Sequence, residues 1–222
     1  MDIRVLGNAC GWVLSPATCS GRSLIFFHHR TGIDEFTRQV VRDILCCGVR
    51  VAVPDLFANI PTELGPGERK QRIVDSEVIG LTQLAILALT RDDAGAAPAA
   101  LGFCMGGRLA FLVAAANLGV ARACCFYGGE LTRGWHDPQS PIDRVTAKMP
   151  PIQLHRGSRD SNATRAEQDA ALSAVDAVDG YLEACVYTGA RHAFANPFVT
   201  ERFHPTVARR AWDNARSFLE LA

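Results

Sequence analysis

The chain has 222 residues, 48% of them hydrophobic, and its 23 Lys and Arg balance its 23 Asp and Glu. That length and apolar content suit one globular domain, residues 1–222, with a substantial core. Charge neutrality removes the basic excess expected of nucleic-acid or membrane-surface binding, and no apolar run approaches the roughly 18–20 residues that span a bilayer.

Strand-like and helix-like segments alternate along the chain, the pattern of a mostly parallel sheet covered by helices. Residues 3–14 read as one or two strands or a hairpin, and Ser23–His28 as a buried strand. Asp34 is placed to cap a helix running to about Cys47, after which Val49–Val53 forms a strand ended by Pro54-Asp55. Residues 60–67, with two prolines and two glycines, read as a loop. One long helix is expected from about Glu68 to Thr90, with Ile73, Ile79, Leu84 and Leu87 on its apolar face. Residues 91–98 lead as a loop into a buried strand at Pro98–Leu101, and Leu109–Ala114 reads as a buried helix. A strand follows at 121–127, then an irregular stretch, 128–150, expected to wall a binding site, with Trp135 and His136 as candidates to line it. The remaining elements are a strand at Ile152–His155, a helix over about Ala163–Val178, a last strand at Tyr181–Tyr187 and a terminal helix from Thr206.

Eight cysteines stand at 10, 19, 46, 47, 104, 124, 125 and 185. A chain this long and apolar has no need of a disulfide framework, and Met1-Asp2-Ile3-Arg4 lacks the start of a secretion signal, so a cytoplasmic location is expected. Without a C-x-x-C, structural zinc and thioredoxin chemistry have little support. Cys46, Cys47, Cys124, Cys125 and Cys185 read as packing residues.

Cys104 is different. In Gly102-Phe103-Cys104-Met105-Gly106-Gly107 it occupies a strand-to-helix turn with glycines on both sides. This is the nucleophile-elbow pattern of α/β-hydrolases, with cysteine where G-x-S-x-G has serine. The N–H groups and partial positive charge at the helix start favour a thiolate there. Thiol catalysis also needs a base and a group that orients it, all in loops at the strands' carboxyl ends. Asp160, just past the Ile152–His155 strand, and His192, past the Tyr181–Tyr187 strand, satisfy this. The order nucleophile, acid, histidine is that of the α/β-hydrolases.

With Pro54-Asp55-Leu56-Phe57, Phe126-Tyr127-Gly128, Gly157-Ser158-Arg159-Asp160 and His192-Ala193-Phe194-Ala195 added to the elbow, the chain resembles the dienelactone hydrolase family of α/β-hydrolases from about residue 23 to 221. The resemblance implies an α/β-hydrolase fold without a large cap domain. It implies Cys104 as nucleophile, His192 as general base and Asp160 as its orienting carboxylate, with an oxyanion hole from the N–H groups of Met105 and Arg30. His29 stands where the family has a glutamate near the end of the first central strand, and Asn196 where it has an arginine for the substrate carboxylate. With Tyr127 and Phe194, these two are the expected substrate-binding residues.

The leading expectation is hydrolysis of a small ester or lactone through an acyl-thioester, by a monomer or homodimer, with no cofactor and no metal. A different class, a non-catalytic ligand-binding or regulatory protein on a hydrolase scaffold, is the alternative, since fold does not guarantee activity. A metal-dependent hydrolase using His28, His29 and His192 is disfavoured, because adjacent strand residues point to opposite faces.

Overall fold

The computed structural model describes residues 2–6, 10–91 and 96–221. Their strands are β1 Asp2–Val5, β2 Gly11–Ser15, β3 Ser23–Phe27, β4 Arg50–Pro54, β5 Ala99–Phe103, β6 Ala123–Phe126, β7 Ile152–Gly157 and β8 Leu182–Tyr187. The helices are α1 Glu35–Cys46, α2 Pro66–Lys70, α3 Asp75–Thr90, α4 Met105–Ala115, α5 Arg165–Asp176 and α6 Pro205–Leu219. The strands form an eight-stranded sheet in the order β1-β2-β4-β3-β5-β6-β7-β8. β1 and β2 are antiparallel additions at one edge, and the strands from β4 to β8 run parallel. The expected N-terminal hairpin is thus present, although residues 7–9 between its strands, like 92–95 before β5, lie outside the described residues.

The strands β3, β5, β6 and β7 are buried on both faces, as parallel strands between helical layers must be. Ile25, Phe27, Ala100, Cys125 and Leu154 pack with α3, α4 and α5 on one face. Leu24, Phe26, Leu101, Phe103, Cys124 and Phe126 pack with α1 and α6 on the other. From β3 the chain winds to β4 on one side, then crosses to β5 on the other. The neighbours β3 and β5 therefore flank a topological switch point, where open α/β sheets form their ligand crevice beyond the strands' carboxyl ends.

Helix α1 begins as expected, with the Asp34 carboxylate accepting the Thr37 N–H. The long helix expected from Glu68 does not form as one piece. In a continuous helix the Asp75 N–H would reach the Gln71 carbonyl; instead it donates to Trp135 O at 3.0 Å, and the Gln71 carbonyl meets His136 Nε2 at 2.7 Å. Val74 is extended, and α3 starts afresh at Asp75. Its inward face is Val78, Thr82, Ala85 and Leu89, whereas Leu84 and Leu87 are exposed.

None of the eight cysteines is in a disulfide. Cys124 and Cys125 are buried as expected, but Cys46 faces solvent, because it lies on the outer side of α1.

Candidate active site

Cys104 sits between β5 and α4 as the N-cap residue of α4, with φ 55° and ψ −115°. A non-glycine residue with positive φ is uncommon, and the surroundings must hold it there. The Cys104 N–H donates to Phe126 O at 2.9 Å, and its carbonyl accepts the Arg108 N–H. The flanking glycines make the bend possible: a Cβ on Gly102 would lie 2.1 Å from Gly106 O, and one on Gly106 would lie 1.9 Å from Phe27 O. The second contact draws the start of α4 onto the carboxyl end of β3, and so brings the Arg30 loop beside the sulfur.

Asp160 follows β7. Its Oδ1 accepts the N–H groups of Asn162 and Ala163 at 2.8 and 2.9 Å. Those bonds shape the turn into α5, while the helix itself is capped by Thr164 with Glu167 in a capping box. His192 follows β8, with Nδ1 3.0 Å from Asp160 Oδ2. A carboxylate only accepts, so Nδ1 carries the proton and Nε2 is left as the basic nitrogen. Nε2 is buried and no group among the described residues meets it at hydrogen-bond geometry, yet it is near enough to Cys104 for each to shift the other's ionisation.

Burial opposes the charged form of both groups. At Cys104 it is outweighed by His192, by the Met105 N–H donated to the sulfur and by the charge of Arg30, which together hold the thiol below its ordinary range. At His192 it is outweighed by the Asp160 hydrogen bond and by Cys104, which raise the imidazole to about 9. Both shifts favour a thiolate–imidazolium pair.

A cavity of about 380 Å³ opens over the sulfur, lined by Cys104, Met105, His192, Tyr127, Arg30 and Trp135. Lys70, Arg108, Gly129, Glu130, Ser161 and Asn162 complete its wall. Arg108 is buried and paired fork to fork with Asp75, at 2.7 and 2.9 Å. It also donates to the carbonyls of Glu130 and Arg133 and lies 3.8 Å from the Trp135 ring. Asp75 in turn accepts the Trp135 N–H at 2.9 Å. One buried ion pair therefore clamps the irregular 129–136 wall to α3 and α4. Glu130 closes the rim through Lys70, Arg133 and the Trp135 indole N–H.

Of the residues expected at the substrate, Tyr127 lines the cavity, but His29, Phe194 and Asn196 do not. His29 turns to the Asp34 carboxylate at 2.9 Å, serving the start of α1. Phe194 is fully buried against Tyr127 and Tyr187. Asn196 is buried, with Oδ1 accepting the Phe198 N–H. His28 and His29 diverge as expected: His28 is buried, accepts the Leu56 N–H and is lowered to about 4 by burial. Among the described residues, no cluster of His, Cys, Asp and Glu could hold a metal ion. His155 has partners that its sequence position did not reveal, Gln153 and Tyr187, and stacks on Phe126.

Arg108, Asp75, Lys70 and Glu130 were absent from the sequence expectations. The first two carried a readable signal, since a lone arginine in an apolar helix and an aspartate within an apolar pattern each call for a buried partner.

The sequence pattern of the dienelactone hydrolase family matches residues 10–222. The chain belongs to that family. It is 29% identical over 193 residues to an Escherichia coli K12 protein provisionally named carboxymethylenebutenolidase, covering 82% of this chain and 70% of that one. It is 27% identical over 214 residues to the carboxymethylenebutenolidase of Rhodococcus opacus, covering 93% and 83%. Its fold is similar to the crystal structure of a provisionally named dienelactone hydrolase from Klebsiella pneumoniae subsp. pneumoniae MGH 78578, with a TM-score of 0.82 at 21% identity over 95% of this chain and 92% of that one. Among the described residues, no helix is long and apolar enough to cross a membrane.

Proposed function

We propose that this family member hydrolyses a small carboxylic ester or lactone through an acyl-thioester formed on Cys104. Family membership and the carboxymethylenebutenolidase relatives support the ester- or lactone-hydrolase class. The cysteine mechanism rests on one observation: a cysteine held at φ 55° on the elbow, its ionisation shifted by a histidine that is itself bonded to a carboxylate.

In this reading Asp160 holds the imidazole with Nε2 toward the sulfur, and the thiol proton moves to Nε2. The thiolate attacks the carbonyl carbon, and the N–H groups of Met105 and Arg30 receive the oxyanion. Each such donor contributes about 3–4 kcal/mol of barrier lowering in acyl transfer. The C–O bond then breaks as Nε2 returns the proton to the leaving oxygen. Water, deprotonated by the same nitrogen, attacks the thioester and releases the acid. The cavity of about 380 Å³ suits a small substrate. The test is turnover of small aryl esters and lactones by Cys104→Ala: abolition is expected, and undiminished turnover defeats the proposal.

A further inference from the structure

Among the polar atoms of the site that the steps above leave unused is the hydroxyl of Tyr127. The residue is 2% exposed, and its ring meets His192 edge-on with centroids 5.1 Å apart. Phe103 and Phe194 box the ring at 5.8 and 5.3 Å. The hydroxyl is buried, and no group among the described residues hydrogen-bonds to it. An unpaired buried donor costs about 1–3 kcal/mol, and phenylalanine would fill the same aromatic box without that cost.

Burial, then the charges of Cys104 and Asp160, hold the phenol well above its ordinary range. It therefore keeps its proton, within electrostatic reach of both the sulfur and the carboxylate. The backbone is committed to this placement too. Tyr127 has φ 40°, rare for an aromatic residue, and its N–H donates to His155 O at 2.7 Å.

Sheet order decides which part of the substrate the hydroxyl meets. In the run β3-β5-β6-β7-β8 the sulfur follows β5. The Arg30 loop lies on the β3 side, whereas Tyr127, Asp160 and His192 follow β6, β7 and β8 on the other. With Arg30 as an oxyanion donor and His192 as the acid that protonates the leaving group, the oxyanion falls to the first side and the departing group to the second.

We propose that Tyr127 is a further catalytic residue whose O–H hydrogen-bonds the leaving oxygen during acylation of Cys104, a role that rests on the cysteine mechanism above. As the S–C bond forms and the C–O bond breaks, the proton on His192 Nε2 passes to the leaving oxygen. Tyr127 retains its own proton and shares it as a hydrogen bond.

The experiment compares Tyr127→Phe with wild type on phenyl acetate and 4-nitrophenyl acetate, reading kcat/KM because it reports the acylation step. Loss of one hydrogen bond to a poor leaving group lowers kcat/KM about tenfold for phenyl acetate and under about threefold for the better leaving nitrophenolate. The melting temperature does not fall, because the substitution removes an unpaired buried hydroxyl. Unchanged kcat/KM on phenyl acetate overturns the proposal, as do equal losses on both esters or a lowered melting temperature. Cys104→Ala run alongside separates the two claims. If it still turns over ester, the cysteine mechanism fails; if it is inactive while Tyr127→Phe matches wild type, only the Tyr127 role fails.

Discussion

The Asp160 carboxylate holds His192 Nδ1 at 3.0 Å while two backbone N–H groups, from Asn162 and Ala163, hold the carboxylate. The imidazole is thereby fixed in one tautomer by a group that is itself fixed. Asp160→Asn offers an amide N–H to Nδ1 and so favours the wrong tautomer. Turnover of phenyl acetate is expected to fall about 10²- to 10⁴-fold with the fold retained. Steady-state kinetics and circular dichroism on the same sample check this; near wild-type turnover would deny Asp160 the role.

The thiol of Cys104 is held below its ordinary range and His192 is raised to about 9. Iodoacetamide reacts with thiolate, so Cys104 is alkylated rapidly at pH values where an ordinary cysteine is still protonated. Substituting His192 with Asn removes the largest of the effects that favour the thiolate and shifts the alkylation midpoint upward. In wild type, kcat/KM declines as pH rises through about 9, where the imidazolium that protonates the leaving group is lost. Peptide mapping is needed to separate Cys104 from the exposed Cys19 and Cys46. An alkylation profile that is the same in both proteins would contradict the pairing.

The Arg108–Asp75 pair is buried on both sides. Arg108→Met leaves the Asp75 carboxylate uncompensated and frees the Trp135 wall. A loss of about 3–5 kcal/mol in denaturant unfolding is expected, with partial recovery when Asp75→Leu is added. A loss below about 1 kcal/mol in the single variant would mean that the pair does not hold the wall.

The parts of the site legible in the sequence were those governed by local geometry. Gly102 and Gly106 announce a bend that nothing larger could make, and Asp160 and His192 each stand a few residues beyond a strand that could be recognised. The break between α2 and α3 was not legible. It depends on Trp135 taking the Asp75 N–H and on Arg108 taking its carboxylate, both through contacts distant in sequence. Side-chain direction was equally hidden. His29 and Asn196 lie in the expected loops, but Asp34 and the Phe198 N–H, respectively, draw them away from the cavity.

Peptide mapping of protein quenched during turnover of 4-nitrophenyl acetate tests the cysteine mechanism most directly. An acetyl group on the peptide carrying Cys104, appearing within the first turnover and lost on further incubation, is the predicted result. Continued turnover with Cys104 unmodified throughout would contradict it.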